Sequence, residues 1–64
     1  MNEVNVADMF IWPSSKQELI LVVVDFNKTD YVEDVAICLE IGHPKEWYHK
    51  IRVSDLQKIG RKVI

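Results

Sequence analysis

A mainly β fold follows from three features of this 64-residue chain. Its apolar residues fall into short runs, and Val35, Ile37, Leu39 and Ile41 alternate with Ala36, Cys38 and Glu40 in the period-2 pattern of a half-buried strand. The run Leu19-Ile20-Leu21-Val22-Val23-Val24-Asp25-Phe26 is rich in β-branched residues and too short for a typical helix. Turn-forming residues punctuate these runs at short, regular spacing. A chain of this length makes one domain, 1–64, and buries only roughly 60% of the surface its unfolded form exposes.

Taken in order, the first strand is Met9-Phe10-Ile11-Trp12. Pro13 stops it, because proline has no N–H for a ladder, and Ser14-Ser15-Lys16-Gln17 continues as a loop. Strand two is Leu19 to Phe26. Asn27-Lys28-Thr29-Asp30 forms a turn whose Asn and Asp can bond their own backbone. Strand three is Val35 to Ile41, and Gly42-His43-Pro44-Lys45 turns the chain again. In strand four, Trp47, His49, Ile51 and Val53 alternate with Tyr48, Lys50 and Arg52, which gives a basic outer face. Ser54-Asp55-Leu56-Gln57 has capping-box spacing, and Gly60 can supply a left-handed residue that ends about one helical turn. Arg61-Lys62-Val63-Ile64 returns as a short fifth strand. The competing arrangement is one helix over 55–63 with Leu56, Ile59 and Val63 facing a four-stranded sheet, but Gly60 in its middle costs roughly 1 kcal/mol relative to Ala.

Composition narrows the function. The longest apolar run, Leu19 to Val24, is far below the roughly 20 residues of a spanning helix, so no membrane crossing is expected. The segment Met1 to Asn5 lacks the basic stretch and apolar core of a signal peptide, and a cytoplasmic location is expected. The lone Cys38 excludes an internal disulfide or a multi-cysteine zinc site and fits a reducing compartment. Charge is polarised: residues 1–42 carry eight acids and two bases, and residues 43–64 carry six bases and two acids, within an overall net charge of -2. A local basic patch is therefore compatible with an acidic chain.

No catalytic constellation emerges. Ser14, Ser15 and Ser54 sit in turn and cap contexts without a nucleophile elbow. Cys38, on the outer or semi-buried side of strand three, reads as a packing residue. His43 and His49 match no common zinc spacing, and a metal is not expected. Gly42 and Gly60 stand apart and make no phosphate-cradling loop. Glu33 and Asp34 are adjacent on a strand and point to opposite faces, so they do not converge as an acid–base pair. Neither an enzyme nor a cofactor is expected.

Two surfaces carry binding hypotheses. Strand two is apolar on both faces, Ile20, Val22, Val24 and Phe26 on one and Leu19, Leu21 and Val23 on the other. A small barrel hides only one, and the second must be covered by the chain itself, another subunit or a partner. The other surface joins Lys45, Trp47, Tyr48, Lys50 and Arg52, followed by Lys58, Arg61 and Lys62. Basic residues interleaved with aromatics suit phosphate contact with base stacking, and equally an acidic protein surface. The plainer reading puts Trp47 in the core, by parity with Ile51 and Val53, and leaves the lysines to keep a sheet edge soluble.

The segments Val6 to Trp12, Leu19 to Phe26, Val35 to Ile41 and Ile51 to Ile64 together resemble the small SH3-like barrels encoded by bacteriophages and prophages, in strand order and closing helical turn. The resemblance implies a five-stranded barrel with one helical turn before the last strand. The acidic and tyrosine cluster of proline-peptide SH3 domains cannot be placed here, so proline-rich ligands are not implied. Short chains without a targeting signal are common among phage and mobile-element proteins that bind and inhibit a host protein. The expected function is thus non-enzymatic occlusion or modulation of a host protein. Leu19, Leu21 and Val23, or Trp47, Tyr48, Lys50 and Arg52, are the candidate contact residues, and a homodimer is compatible with either face. The alternative is a nucleic-acid-binding or transcription-related barrel using the basic C-terminal face.

Overall fold

The computed structural model describes residues 3–28 and 34–63. Its elements run β1 (Met9–Trp12), β2 (Leu19–Lys28), β3 (Asp34–Ile41), β4 (Tyr48–Arg52), α1 (Val53–Lys58) and β5 (Arg61–Val63). All five strands join one antiparallel sheet in the order β4-β3-β2-β1-β5. The mainly β class and the sequence of elements are as the alternation and punctuation indicate. Of the expected Asn27–Asp30 turn, Asn27 and Lys28 extend β2, and the remainder lies outside the described residues.

The sheet does not close into a barrel, which corrects the expectation. Among the described residues β4 pairs with β3 and β5 with β1, so β4 and β5 are the two edges. β5 has only three residues, and α1, which follows β4, packs toward β3 and β4. Leu56 of α1 is fully buried and joins Phe10, Leu21, Val23, Ala36 and Cys38 in the core, with Val4, Trp12, Leu19, Phe26, Ile51 and Val53 packed around them. Cys38 is thus a core residue rather than an outer one.

Two punctuation readings also change. The helix begins at Val53 with Arg52 as its N-cap, in extended conformation and with no side-chain cap bond, so Ser54 lies inside the first turn instead of capping it. Gly60 is not left-handed; Gly42 is, at φ +88°. What Gly60 provides is space, because a Cβ there would stand 2.8 Å from the Leu56 carbonyl oxygen and 3.2 Å from Phe10 Cδ2.

The decisive feature of β2 is a bulge. Val23 pairs with Cys38 and Asp25 with Ile37, so Val24 is the extra residue. A one-residue insertion reverses the side-chain alternation beyond it. Leu21 and Val23 therefore face the core before the bulge, and Phe26, paired with the buried Ala36, faces it after. This corrects the grouping of Phe26 with Ile20 and Val22.

Ahead of β1 the chain makes a turn in which Asp8 N donates to Asn5 O at 3.1 Å and Ala7 adopts φ +78°. The turn is knitted to β2 by Ala7 N to Val23 O (2.7 Å) and Val23 N to Asp8 O (2.9 Å). The Asp8 carboxylate accepts from Asn5 N at 2.8 Å and pairs with Lys62 Nζ at 3.2 Å. Lys62 also donates to the Glu3 carbonyl at 3.4 Å, so β5 holds the N-terminal segment in place.

Candidate functional site: the open sheet face

The pairing register sorts the side chains into two faces. On the inner face, beneath α1, stand the fully buried Phe10, Leu21, Val23, Ala36 and Cys38. The opposite parity belongs to the outer face. There a row of cross-strand partners runs through every strand: Val63, Met9, Val22, Leu39 and Tyr48. A second row holds Arg61, Ile11, Ile20 and Ile41, and a third holds Asp25, Ile37 and Lys50 beside the exposed Val24. No secondary-structure element among the described residues lies over this face. Ile20 is 42% and Ile41 46% exposed, with Met9, Val24, Val63 and Tyr48 also open to solvent.

The candidate residues fall as follows. Leu21 and Val23 are 0% exposed and Leu19 is half-buried against the core, so the face of β2 assigned to a partner is the one the molecule buries. The unburied face is Ile20 and Val22 instead. Tyr48, Lys50 and Arg52 are exposed on the outer face, in the alternation the sequence predicts. Trp47 precedes β4 and is 51% exposed, not packed in the core. Its ring stacks on His43 with centroids 5.3 Å apart, while its carbonyl accepts from Glu40 N at 2.9 Å. The sequence reading overlooked Met9, Ile11, Leu39 and Ile41. The signal for the first two was available, since every residue of β1 is apolar, as is the Leu19 to Val24 run of β2, and only one parity of β1 can enter the core.

Polar chemistry around the face is sparse. The Tyr48 hydroxyl donates to Glu46 Oε2 at 3.2 Å, which places that carboxylate beside the outward-facing phenol. This bond and the carboxylate's charge hold the phenol above its ordinary pKa. On the inner side, His49 Nε2 lies 2.8 Å from Glu40 Oε1, a half-buried pair on neighbouring strands. Cys38 is the cross-strand partner of His49, which brings thiol, imidazole and carboxylate to adjacent positions. Burial nevertheless pushes the Cys38 thiol up to about 11, and a thiol without thiolate character is a poor nucleophile. Among the described residues no three or more His, Cys, Asp or Glu side chains group to hold a metal ion.

Arg61 pairs with Glu18 at 3.6 Å at the rim, both exposed. The outer face thus has an apolar row across its middle, with the exposed Asp25 in the next row on β2, Lys50 and Arg52 on the β4 side and Arg61 on the β5 side. No helix among the described residues is long and apolar enough to cross a membrane. No protein-family model, curated protein or solved structure matches the chain.

Proposed function

We propose that this chain is a non-enzymatic binding protein whose open sheet face is a protein–protein interface. The observation that carries this reading is the apolar row crossing all five strands, Val63, Met9, Val22, Leu39 and Tyr48, on the face that α1 does not cover. Contiguous exposed apolar surface beyond a few hundred Å² is rare in monomers and marks interfaces. The strand order, with one helical turn between β4 and β5, supports an SH3-like arrangement opened along the β4–β5 seam. A host protein occluded by this open face is the partner class that the resemblance to phage-encoded proteins implies.

The test compares wild type with Ile20→Lys and Ile41→Lys, both folded by circular dichroism, as tagged baits in cell lysate with and without nuclease. The expected result is a nuclease-resistant protein at near-equal amounts that both variants lose. Equal capture by wild type and variants defeats the reading. A broad, nuclease-sensitive set lost on replacing Tyr48, Lys50 and Arg52 moves the function to nucleic acid, which the exposure of those three on one stripe favours as second reading.

A further inference from the structure

We propose that the outer edge of β4 takes up an extended acidic peptide of another protein, added to the sheet as an antiparallel strand. This site is separate from the open face, and its test does not depend on what covers that face.

The hydrogen-bond phase of β4 fixes which backbone groups the edge offers. Glu40 N donates to Trp47 O at 2.9 Å, and these two residues continue the register in which Cys38 stands opposite His49 and Ala36 opposite Ile51. Opposed residues of an antiparallel ladder alternate between pairs that exchange hydrogen bonds and pairs that do not. Trp47, His49 and Ile51 therefore turn their N–H and C=O groups toward β3. Tyr48 and Lys50 turn theirs the other way, to the side on which no strand among the described residues pairs. Both residues are exposed. Such a row of outward donors and acceptors is what strand addition uses for affinity, with alternate side chains supplying specificity.

The opposite edge offers less. Val23 N donates to Asp8 O at 2.9 Å, in the register that sets Phe10 opposite Leu21, so Met9 and Ile11 bond across to Val63 and Arg61 of β5. Lys62 alone of β5 turns its backbone outward, and its side chain is drawn to Asp8 and the Glu3 carbonyl.

Charge selects the occupant. β4 carries Lys50 and Arg52 and no acid, and β5 carries Arg61 and Lys62 and no acid. The edges of a second copy would set bases among bases, the arrangement that keeps open edges from pairing with their own kind. An incoming strand with Asp or Glu opposite Lys50 instead brings opposite charges together as a cross-strand pair, at Cβ atoms about 5 Å apart. Arg52, two residues on and on the same face, adds positive charge at that end. At the other end Glu46 lies 3.2 Å from the Tyr48 hydroxyl and repels an acid. The peptide residue opposite Tyr48 is therefore apolar, where it extends the row of Leu39 and Tyr48. In the direction of an antiparallel peptide the pattern is an acid, any residue, then an apolar residue.

The probe is the capped heptapeptide Thr-Glu-Thr-Glu-Thr-Val-Thr, whose threonines favour extended backbone. It is titrated into isotope-labelled protein and followed by amide hydrogen exchange and chemical shift. The expected result is saturable binding that slows exchange at the Tyr48 and Lys50 amides. Methylating the backbone nitrogens of the glutamates and valine, which face β4 in this register, should abolish binding, and methylating the inner threonines should not. Lys50→Glu, folded by circular dichroism, should weaken binding at least about tenfold, and the same peptide with lysine in place of glutamate should bind that variant more tightly than wild type. Ile20→Lys should bind the acidic peptide as wild type does, so this result and the fate of the open face are read separately. No binding by wild type, or affinity indifferent to Lys50→Glu, overturns the proposal. Full affinity in both methylated forms shows attraction by charge alone and overturns strand addition, and loss of the peptide in Ile20→Lys places it on the open face and overturns the edge.

Discussion

Replacing Gly60 by alanine separates the steric role of this glycine from a conformational one. The new Cβ would meet the Leu56 carbonyl oxygen at 2.8 Å and Phe10 Cδ2 at 3.2 Å. The nearer atom is backbone and cannot swing aside, and Phe10 is itself held in the core. Overpacking of this kind costs about 1–3 kcal/mol, and alanine returns about 0.4–1 kcal/mol by restricting the unfolded chain. The net loss is about 1–2 kcal/mol, and each kcal/mol lowers the melting temperature of a domain this size by roughly 4–8 °C. Gly42 is the counterpart, with no atom within 4 Å of a built Cβ but φ at +88°. There alanine suffers about 1–2 kcal/mol of left-handed strain, which asparagine partly relieves. Urea and thermal unfolding, followed by tryptophan fluorescence and far-ultraviolet circular dichroism, should therefore rank asparagine above alanine at position 42 and below it at position 60. A Gly60→Ala protein as stable as wild type, or the same ranking at both glycines, refutes the steric account.

Leu56→Ala removes the fully buried side chain of α1 and should cost about 2–5 kcal/mol, enough to unfold much of so small a domain in a urea titration. Asp8 has its pKa lowered from 3.8, chiefly by the bond from Asn5 N and further by Lys62. Its contribution to stability is present above the unfolded value and lost as pH falls through the lower folded one. Asp8→Asn should flatten the acid limb of the unfolding midpoint against pH. With its thiol pushed up to about 11 and its side chain fully buried, Cys38 should react with iodoacetamide near neutral pH only at the rate of opening. Labelling in denaturant should be fast, and equally fast labelling of the native protein would contradict its burial. Ala7 sits at φ +78° as the third residue of the Asn5–Asp8 turn. Ala7→Gly should exchange about 1–2 kcal/mol of strain for about 0.5–1 kcal/mol of unfolded-state entropy, a small gain measurable as a higher melting temperature.

The strand positions were legible because they are written in local terms: period-2 alternation in β3, β-branched density in β2, and Pro13 and Gly42 as breaks. Whether the two edge strands meet is not decided locally. It depends on how far three residues of β5 reach and on where Leu56 of α1 packs, and neither has a signature in the chain. Gly60 shows the same limit from another side. A glycine after a helical turn invites a left-handed reading by propensity, whereas here it is required by the tertiary approach of Phe10 to the end of α1.

Face assignment in β2 turns on one residue. A strand with apolar side chains at seven of eight consecutive positions offers no polar parity to mark the outside, so Leu21 and Ile20 are equally good core candidates by sequence. The choice is made by partners: Leu21 stands opposite Phe10 on β1, and Val23 opposite Cys38 on β3, both of which are buried. The Val24 bulge then allows the same strand to return Phe26 to the core. Without that inserted residue, either Leu21 and Val23 or Phe26 would have to leave it. The price of serving the core with both parities is that Ile20 and Val22 remain on the other side, in line with Met9, Leu39 and Ile41. The exposed apolar face is therefore a property of three adjacent strands together. On β4, by contrast, alternating His49 and Ile51 with Tyr48, Lys50 and Arg52 leaves polarity to mark the outside, and there the sequence identified the outward residues before any fold was known.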